Sequence, residues 1–197
     1  AAKWYRKAAE QGLAEAQYWL GRMYYYGEGV DMKYSEAAKW YRKAAEQGLA
    51  EAQYWLGRMY YYGEGVDMKY SEAAKWYRKA AEQGLAEAQY QLGMMYFRGD
   101  VDWQGDILEA IEWWTKAAEQ GHIQAQRDLW FHYKYDMRVQ NKWRAYKWRR
   151  KLAENGDADA QYDLGDMYSS GDIVRQDKSE AMKWYSMAAE GYRKERT

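Results

Sequence analysis

The sequence predicts an all-α fold, a solenoid of stacked helix pairs with about eleven helices, and three observations lead there. Residues 1–36 and 37–72 are the same string, letter for letter, and residues 73–90 repeat its first half. A tryptophan then keeps the period to the end of the chain, at Trp4, Trp40, Trp76, Trp113, Trp148 and Trp184, with intervals of 36, 36, 37, 35 and 36 residues. Within each period apolar residues recur every three to four positions, and no stretch alternates as a half-buried strand would. One helix pair cannot bury its apolar face, whereas stacked neighbours can, so the recurrence argues for a solenoid over a closed bundle. The whole chain, 1–197, reads as a single solenoid domain, with near-identical repeats over 1–90 and divergent ones over 91–197.

Each period holds two helices. The first runs from about Ala14 to Tyr26, with Ala16, Leu20, Met23 and Tyr24 as its apolar stripe. Gly27-Glu28-Gly29 ends it, because glycine accepts the positive φ of a tight exit. The second runs from about Glu36 to Gln47, where Ala37, Trp40, Tyr41, Ala44 and Ala45 recur at helical spacing. Ser35 is the expected N-cap and Gly48 the expected residue after the C-terminus. A Leu-Gly pair marks the first helix at Leu20-Gly21, Leu56-Gly57, Leu92-Gly93 and Leu164-Gly165; the fourth copy keeps Leu129 but places Trp130 where the glycine belongs. Proline is absent, so nothing interrupts these helices.

Composition narrows the function. Thirty basic and thirty acidic residues give no net charge, which speaks against a duplex nucleic-acid binder. Without cysteine there is no disulfide, thiolate metal site or cysteine nucleophile. No apolar run approaches a membrane span and no signal-peptide pattern opens the chain, so the sequence assigns no compartment. The apolar inventory is unusual: 12 Trp and 22 Tyr stand against two Phe. Indole and phenol carry polar tips suited to half-buried positions, so part of this aromatic surface is expected at an open groove.

The strings AEAQYWLGRMYYYGEGV and SEAAKWYRKAAEQG resemble the Sel-one-like repeat, a relative of the tetratricopeptide repeat. In the second copy the resemblance rests on Ala50, Ala52, Gln53, Leu56, Gly57, Tyr60, Gly63, Gly65 and Val66, then on Ala73, Trp76, Tyr77, Lys79, Ala80, Ala81 and Gly84. Three departures stand out. Asp31 and Asp67 occupy a position where the family commonly has proline. Leu13, Leu49 and Leu85 give up the small polar cap that Asp157 keeps. The fourth copy loses its glycine turn and reads Lys134-Tyr135-Asp136-Met137-Arg138-Val139. The resemblance implies a right-handed αα-superhelix acting as a non-enzymatic adaptor or scaffold, whose first helices line the concave groove and bind a protein or peptide.

With the family positions set aside, a second stripe remains on the first helices. Glu15, Trp19, Arg22 and Tyr26 fall at i, i+4, i+7 and i+11 and share one face. The following copies give Glu51, Trp55, Arg58 and Tyr62; Glu87, Gln91, Met94 and Arg98; Gln124, Asp128, Phe131 and Tyr135; and Asp159, Asp163, Asp166 and Ser170. The stripe is aromatic and basic early in the chain and acidic late. Trp, Tyr, Arg and Met are enriched in interface hot spots, so a partner surface with Trp19 and Trp55 as anchors is one reading. Packing of the same aromatics against adjacent repeats is the other. Residues 134–151, with eight Lys or Arg against Asp136, are either a patch for an acidic partner, headgroups or RNA, or the solvated face of an outer helix.

Catalysis finds little footing. His122 and His132 do not fit a zinc spacing, and Asp128, His132 and Asp136 at i, i+4, i+8 make at most a weak ligand edge. The Gly-Glu-Gly turns are too short to cradle phosphate, and no cofactor is expected. The identical copies, the lack of proline and cysteine, and a start partway through a repeat suggest engineered consensus repeats joined to a divergent C-terminal part. A natural bacterial adaptor in signalling, secretion or host interaction, recently duplicated, is the alternative. The apolar side of residues 1–11 faces nothing upstream, so self-association through that open end is a third reading.

Overall fold

A computed structural model describes residues 2–101 and 105–194. Among the described residues there are eleven helices and no strand: α1 (Ala2–Glu10), α2 (Ala14–Tyr26), α3 (Tyr34–Glu46), α4 (Ala50–Tyr62), α5 (Tyr70–Glu82), α6 (Ala86–Arg98), α7 (Ile107–Glu119), α8 (Ile123–Tyr135), α9 (Lys142–Glu154), α10 (Ala158–Ser170) and α11 (Lys178–Lys194). The expected all-α solenoid class holds. Contacts gather the chain into two compact units, 1–117 and 118–197.

Helix α2 occupies the residues read from the sequence. Gly27 adopts φ 73° and its N–H returns to the Met23 carbonyl, and Gly29 follows at φ 72°. These left-handed residues close the carbonyl end of the helix, which a side chain would oppose sterically. Helix α3 differs from expectation at its start. It begins at Tyr34, Lys33 occupies the N-cap without a side-chain bond, and Ser35 lies inside the helix. The tertiary setting decides this: the Lys33 N–H binds the Tyr24 carbonyl at 2.8 Å, and the Tyr34 ring packs on Tyr25 at 5.0 Å. Gly48, as expected, follows the helix with φ 96°.

The uncapped leucines are also as read. Leu13, Leu49 and Leu85 give no side-chain cap, whereas Asp157 accepts the Ala160 N–H. Four further caps carried no sequence expectation, and two of them are Asp106 at the head of α7 and Asp177 at the head of α11. His122 accepts the Ala125 N–H through Nδ1 at 3.2 Å, and Asn141 accepts the Arg144 N–H at 2.9 Å. His122 thus has a structural duty at the head of α8.

In the first unit the core is alanine against ring. Ala37, Tyr41, Ala44, Ala45, Ala52, Leu56 and Met59 form one cluster, and Ala73, Tyr77, Ala80, Ala81, Ala88, Leu92 and Met95 repeat it. Alanine lets helices approach closely, and the rings supply volume. The second unit centres on Tyr146, Leu152, Ala153, Ala160 and Leu164.

Candidate partner-binding surface

Two interior devices fix how the even-numbered helices present their remaining face. The first is the Leu-Gly pair. A Cβ on Gly21 would stand 2.8 Å from the Tyr41 ring, and one on Gly57 would stand 2.9 Å from Tyr77. Gly93 meets the Trp114 ring in the same way, at 2.6 Å. The glycine is therefore a seat for an aromatic ring of the following helix.

The fourth copy inverts this pair. Trp130 stands at the glycine position and Arg149 at the ring position, with the guanidinium 4.0 Å from the indole centroid. Arg149 is buried and bonds Asp163 at 2.7 Å. A large ring has moved to the other helix, and a flat cation has taken its former place.

The second device is a buried glutamine in every even-numbered helix. Gln17, Gln53, Gln89, Gln126 and Gln161 donate to the carbonyls of Ala9, Ala45, Ala81, Ala118 and Ala153 at 3.0–3.1 Å. Gln47 and Gln83 in turn donate to the side-chain oxygens of Gln17 and Gln53 at 2.7 and 2.8 Å. These bonds tie each even-numbered helix to the one before it, and tie α2 and α4 to the helix that follows as well.

With the interior so arranged, the stripe side chains of α2 and α4 reach the surface in different degrees. Trp19 is 42% exposed, Tyr26 48% and Tyr62 58%. Arg22 lies over Trp19 and Tyr26, 4.9 and 5.6 Å from their centroids. Trp55 is half-buried. It stacks on Tyr41 at 5.9 Å with 16° between planes, and it meets the Tyr25 and Tyr26 rings at 5.1 and 6.0 Å. Glu15 and Glu51 are exposed, and among the described residues neither makes an ion pair or a side-chain hydrogen bond. On α6, Gln91 and Met94 are half-buried and Arg98 is exposed; Gln91 donates to Glu87 at 3.0 Å. On α8, Phe131 and Tyr135 are both exposed, their rings 5.2 Å apart.

The arginines of the stripe have structural partners. The Tyr25 hydroxyl donates to Glu64 at 2.9 Å and accepts from Arg58, which also pairs with Glu64 at 3.2 Å. Burial is the largest influence on the Tyr25 hydroxyl and pushes its pKa up. One repeat on, Tyr61 donates to Asp100 and accepts from Arg98 at 2.8 Å. Arg98 stands one helical turn beyond the position of Arg58, which Met94 holds in that copy. The guanidinium has changed place and kept its tyrosine.

In the second unit the acidic stripe is largely engaged. Asp159 accepts from Tyr192 at 2.6 Å, Asp163 from Arg149, and Asp166 from Tyr185 at 2.7 Å. An open cavity of about 440 Å³ lies between Lys134, Asp163, Asp166, Ser170 and Asp172. The basic stretch of 134–151 is laced to neighbours. Arg138 holds Asp136, Lys142 reaches Asp172, and Lys147 reaches Glu119. Arg144 meets the Tyr133 hydroxyl and Arg150 meets Glu154. Arg138 also keeps the Asp136 carboxyl well below the usual carboxylate range. Among the described residues no group of three or more His, Asp or Glu side chains could hold a metal ion.

At the head of the first unit, Trp4, Tyr5, Ala8, Leu13, Ala16 and Trp19 line an open cavity of about 490 Å³. The equivalents of Trp4 show what covers this face elsewhere. Trp4 is 77% exposed, Trp40 is half-buried against Ala9, Ala16 and Leu20, and Trp76 is 6% exposed.

The Sel1 repeat family model matches residues 1–13, 14–49, 50–85, 86–122 and 158–191. The unmatched stretch contains Trp130 and Arg149, the inverted pair. No curated protein matches significantly. Among crystal structures, the chain is similar to a protective antigen of uropathogenic Escherichia coli strains displaying an SLR fold. That likeness has 43% identity and a TM-score of 0.84 over 95% of this chain, which spans 40% of that protein. It is similar to a Sel1 repeat protein from Oxalobacter formigenes at 37% identity and a TM-score of 0.77, over 92% of this chain and 74% of that one. A Sel1 repeat protein from Klebsiella pneumoniae shares the fold at 22% identity and a TM-score of 0.54, covering 96% of this chain and 92% of that one. With its Leu-Gly seats, buried glutamines and 36-residue period, the chain belongs to the Sel1 repeat family.

Proposed function

We propose that the protein is a non-enzymatic scaffold that binds a protein or peptide through the stripe on its even-numbered helices. The observation carrying this is where the third copy departs from the first two. Helix α6 differs from α2 and α4 at four positions, Gln91, Met94, Phe97 and Arg98, and three of the four lie on the stripe. The alanines, the glutamine, the Leu-Gly pair and the methionine of the core are unchanged. Change concentrated on the stripe, while those interior residues stay constant, is what a partner surface needs. Tyr26 and Tyr62 are its most accessible rings in the first unit, and Phe131 and Tyr135 form a similar pair in the second.

Peptides selected from a random library on the intact chain test this reading. They are expected to bind the Tyr26→Ala/Tyr62→Ala variant about tenfold or more weakly, as truncation of aromatic hot spots does. Equal affinity for variant and native chain would refute the assignment. One scaffold reading serves a natural bacterial adaptor and an engineered binder alike.

A second reading, self-association, has its own observation in the apolar head of the first unit, where Trp4, Leu13 and Trp19 are exposed together. Light scattering behind size exclusion should then show mass rising with concentration, and a Trp4→Gln/Leu13→Gln variant should stay monomeric. A constant monomer mass for the native chain would rule it out.

A further inference from the structure

We propose that the head of the first unit docks one helix of the α2 type supplied by a different protein chain, a helix that presents Tyr-x-x-Gly-x-x-x-Tyr-Tyr to it. This goes beyond the stripe reading, because the head is a separate surface, and beyond self-association, because the occupant is not a second copy.

The repeat itself shows what the head lacks. Residues 4–26 and 40–62 are the same string, so each group at the head has a counterpart one copy on. There, Tyr41 is fully buried, with its ring against Gly21, where a Cβ would stand 2.8 Å away. Tyr18 packs on that ring at 5.9 Å, and Tyr25 and Tyr26 reach Trp55 at 5.1 and 6.0 Å. Helix α2 supplies all four of these groups. At the head, Tyr5 and Trp19 form the pair that Tyr41 and Trp55 form, with ring centroids 6.4 Å apart. Among the described residues no helix lies over them. Tyr5 is exposed, as are Trp4 and Leu13 beside it. The open cavity they line is therefore the place that an α2-type helix fills one repeat later.

The glycine decides the source. A helix can close on the Tyr5 ring as α2 closes on Tyr41 only if it brings a residue without a side chain to that point. Gly21, Gly57, Gly93 and Gly165 already face Tyr41, Tyr77, Trp114 and Tyr185, and the remaining even-numbered helix has Trp130 at that position. An intact second copy thus has no free glycine face to offer. The occupant is a Leu-Gly helix of another protein in which no ring covers the glycine. Its docking repeats in trans the neighbour interface that already recurs through this unit, the contact on which repeat stacking depends.

Fluorescence anisotropy with a labelled synthetic peptide of residues 14–36 tests the inference on the intact chain. A lactam from Glu15 to the lysine of Trp19→Lys holds the peptide helical, since short free helices are marginal in water. In α2 both positions line the cavity beside α1, away from the face that meets Tyr41. The bridged peptide should bind. Gly21→Leu in the peptide should weaken it at least about tenfold, because overpacking against a ring is poorly tolerated. Tyr5→Ala in the chain should weaken it about tenfold, the scale of an aromatic hot spot. A chain lengthened by residues 14–36 ahead of Ala1 carries its own covering helix and should not bind the peptide. The Tyr26→Ala/Tyr62→Ala chain should bind it as the native chain does, so the stripe reading can fail while this one stands. No binding by the bridged peptide, equal binding of its Gly21→Leu form, or undiminished binding by the lengthened chain would overturn the inference. So would loss of binding in Tyr26→Ala/Tyr62→Ala, which would put the peptide on the stripe instead.

Discussion

Gln53 shows how much of this repeat depends on a polar side chain in its interior. Its amide nitrogen donates to Ala45 at 3.1 Å and its oxygen accepts from Gln83 at 2.8 Å. Replacing it by leucine of similar volume leaves the buried Ala45 carbonyl unsatisfied, which costs about 1–3 kcal/mol. For a chain of this length that lowers the thermal midpoint by roughly 2–4 °C per kcal/mol, measurable by circular dichroism. Gln161 is the contrasting case, since its side-chain oxygen has no bonding partner among the described residues. Gly191 approaches there, where earlier copies bring a glutamine. Tyr41 gives a second residue-scale expectation. Its hydroxyl is buried without a hydrogen bond, and burial pushes its pKa far above the ordinary value near 10. Tyr77 behaves likewise. In the unfolded chain both would ionise near pH 10, whereas in the folded chain they stay neutral. Their contribution to stability is complete below pH 10 and is lost as pH rises beyond it. Chemical denaturation at pH 9 and pH 11 should show a lower midpoint at the higher pH, and Tyr41→Phe should reduce the difference.

At the scale of the element, the guanidinium that changes place between copies makes a coupled prediction. Arg58→Met alone removes a cation from Tyr25 and Glu64 and is expected to cost about 1–2 kcal/mol. Adding Tyr62→Arg places a guanidinium where Arg98 stands in the next copy, so the double variant should recover most of the loss. Additive losses in a double-mutant cycle would mean that the two arrangements are not equivalent. Helix positions were legible to different depths for related reasons. Helix α2 was readable to the residue because its end is a local matter of two glycines. The start of α3 was not, because a backbone bond to Tyr24 and a ring contact with Tyr25 override the cap preference of Ser35. The glutamines were visible as a recurring letter, but their role depends on carbonyls eight residues away across a helix turn. In the fourth copy, Trp130 showed as a missing glycine. Its compensation by Arg149 needed the structure, since nothing in sequence spacing ties a tryptophan at 130 to a cation at 149. The stripe itself was legible from periodicity, but not the division within it. Trp19 and Trp55 read alike, and only packing separates an exposed ring from one stacked on Tyr41.

Across the whole molecule, a constant interior carries a variable face. Repeat proteins derive stability from each unit and its nearest neighbours, so surface positions between those contacts are free to diversify. The first unit carries its accessible rings at Trp19, Tyr26 and Tyr62, and the second at Phe131 and Tyr135. The central claim is that the exposed rings serve a partner and not the fold. Thermal unfolding of the Tyr26→Ala/Tyr62→Ala chain beside the native one tests it most directly. A midpoint within about 3 °C of native, the scale of roughly 1 kcal/mol, is the predicted result. A fall of about 8 °C or more would place both rings in the packing between repeats and contradict the claim.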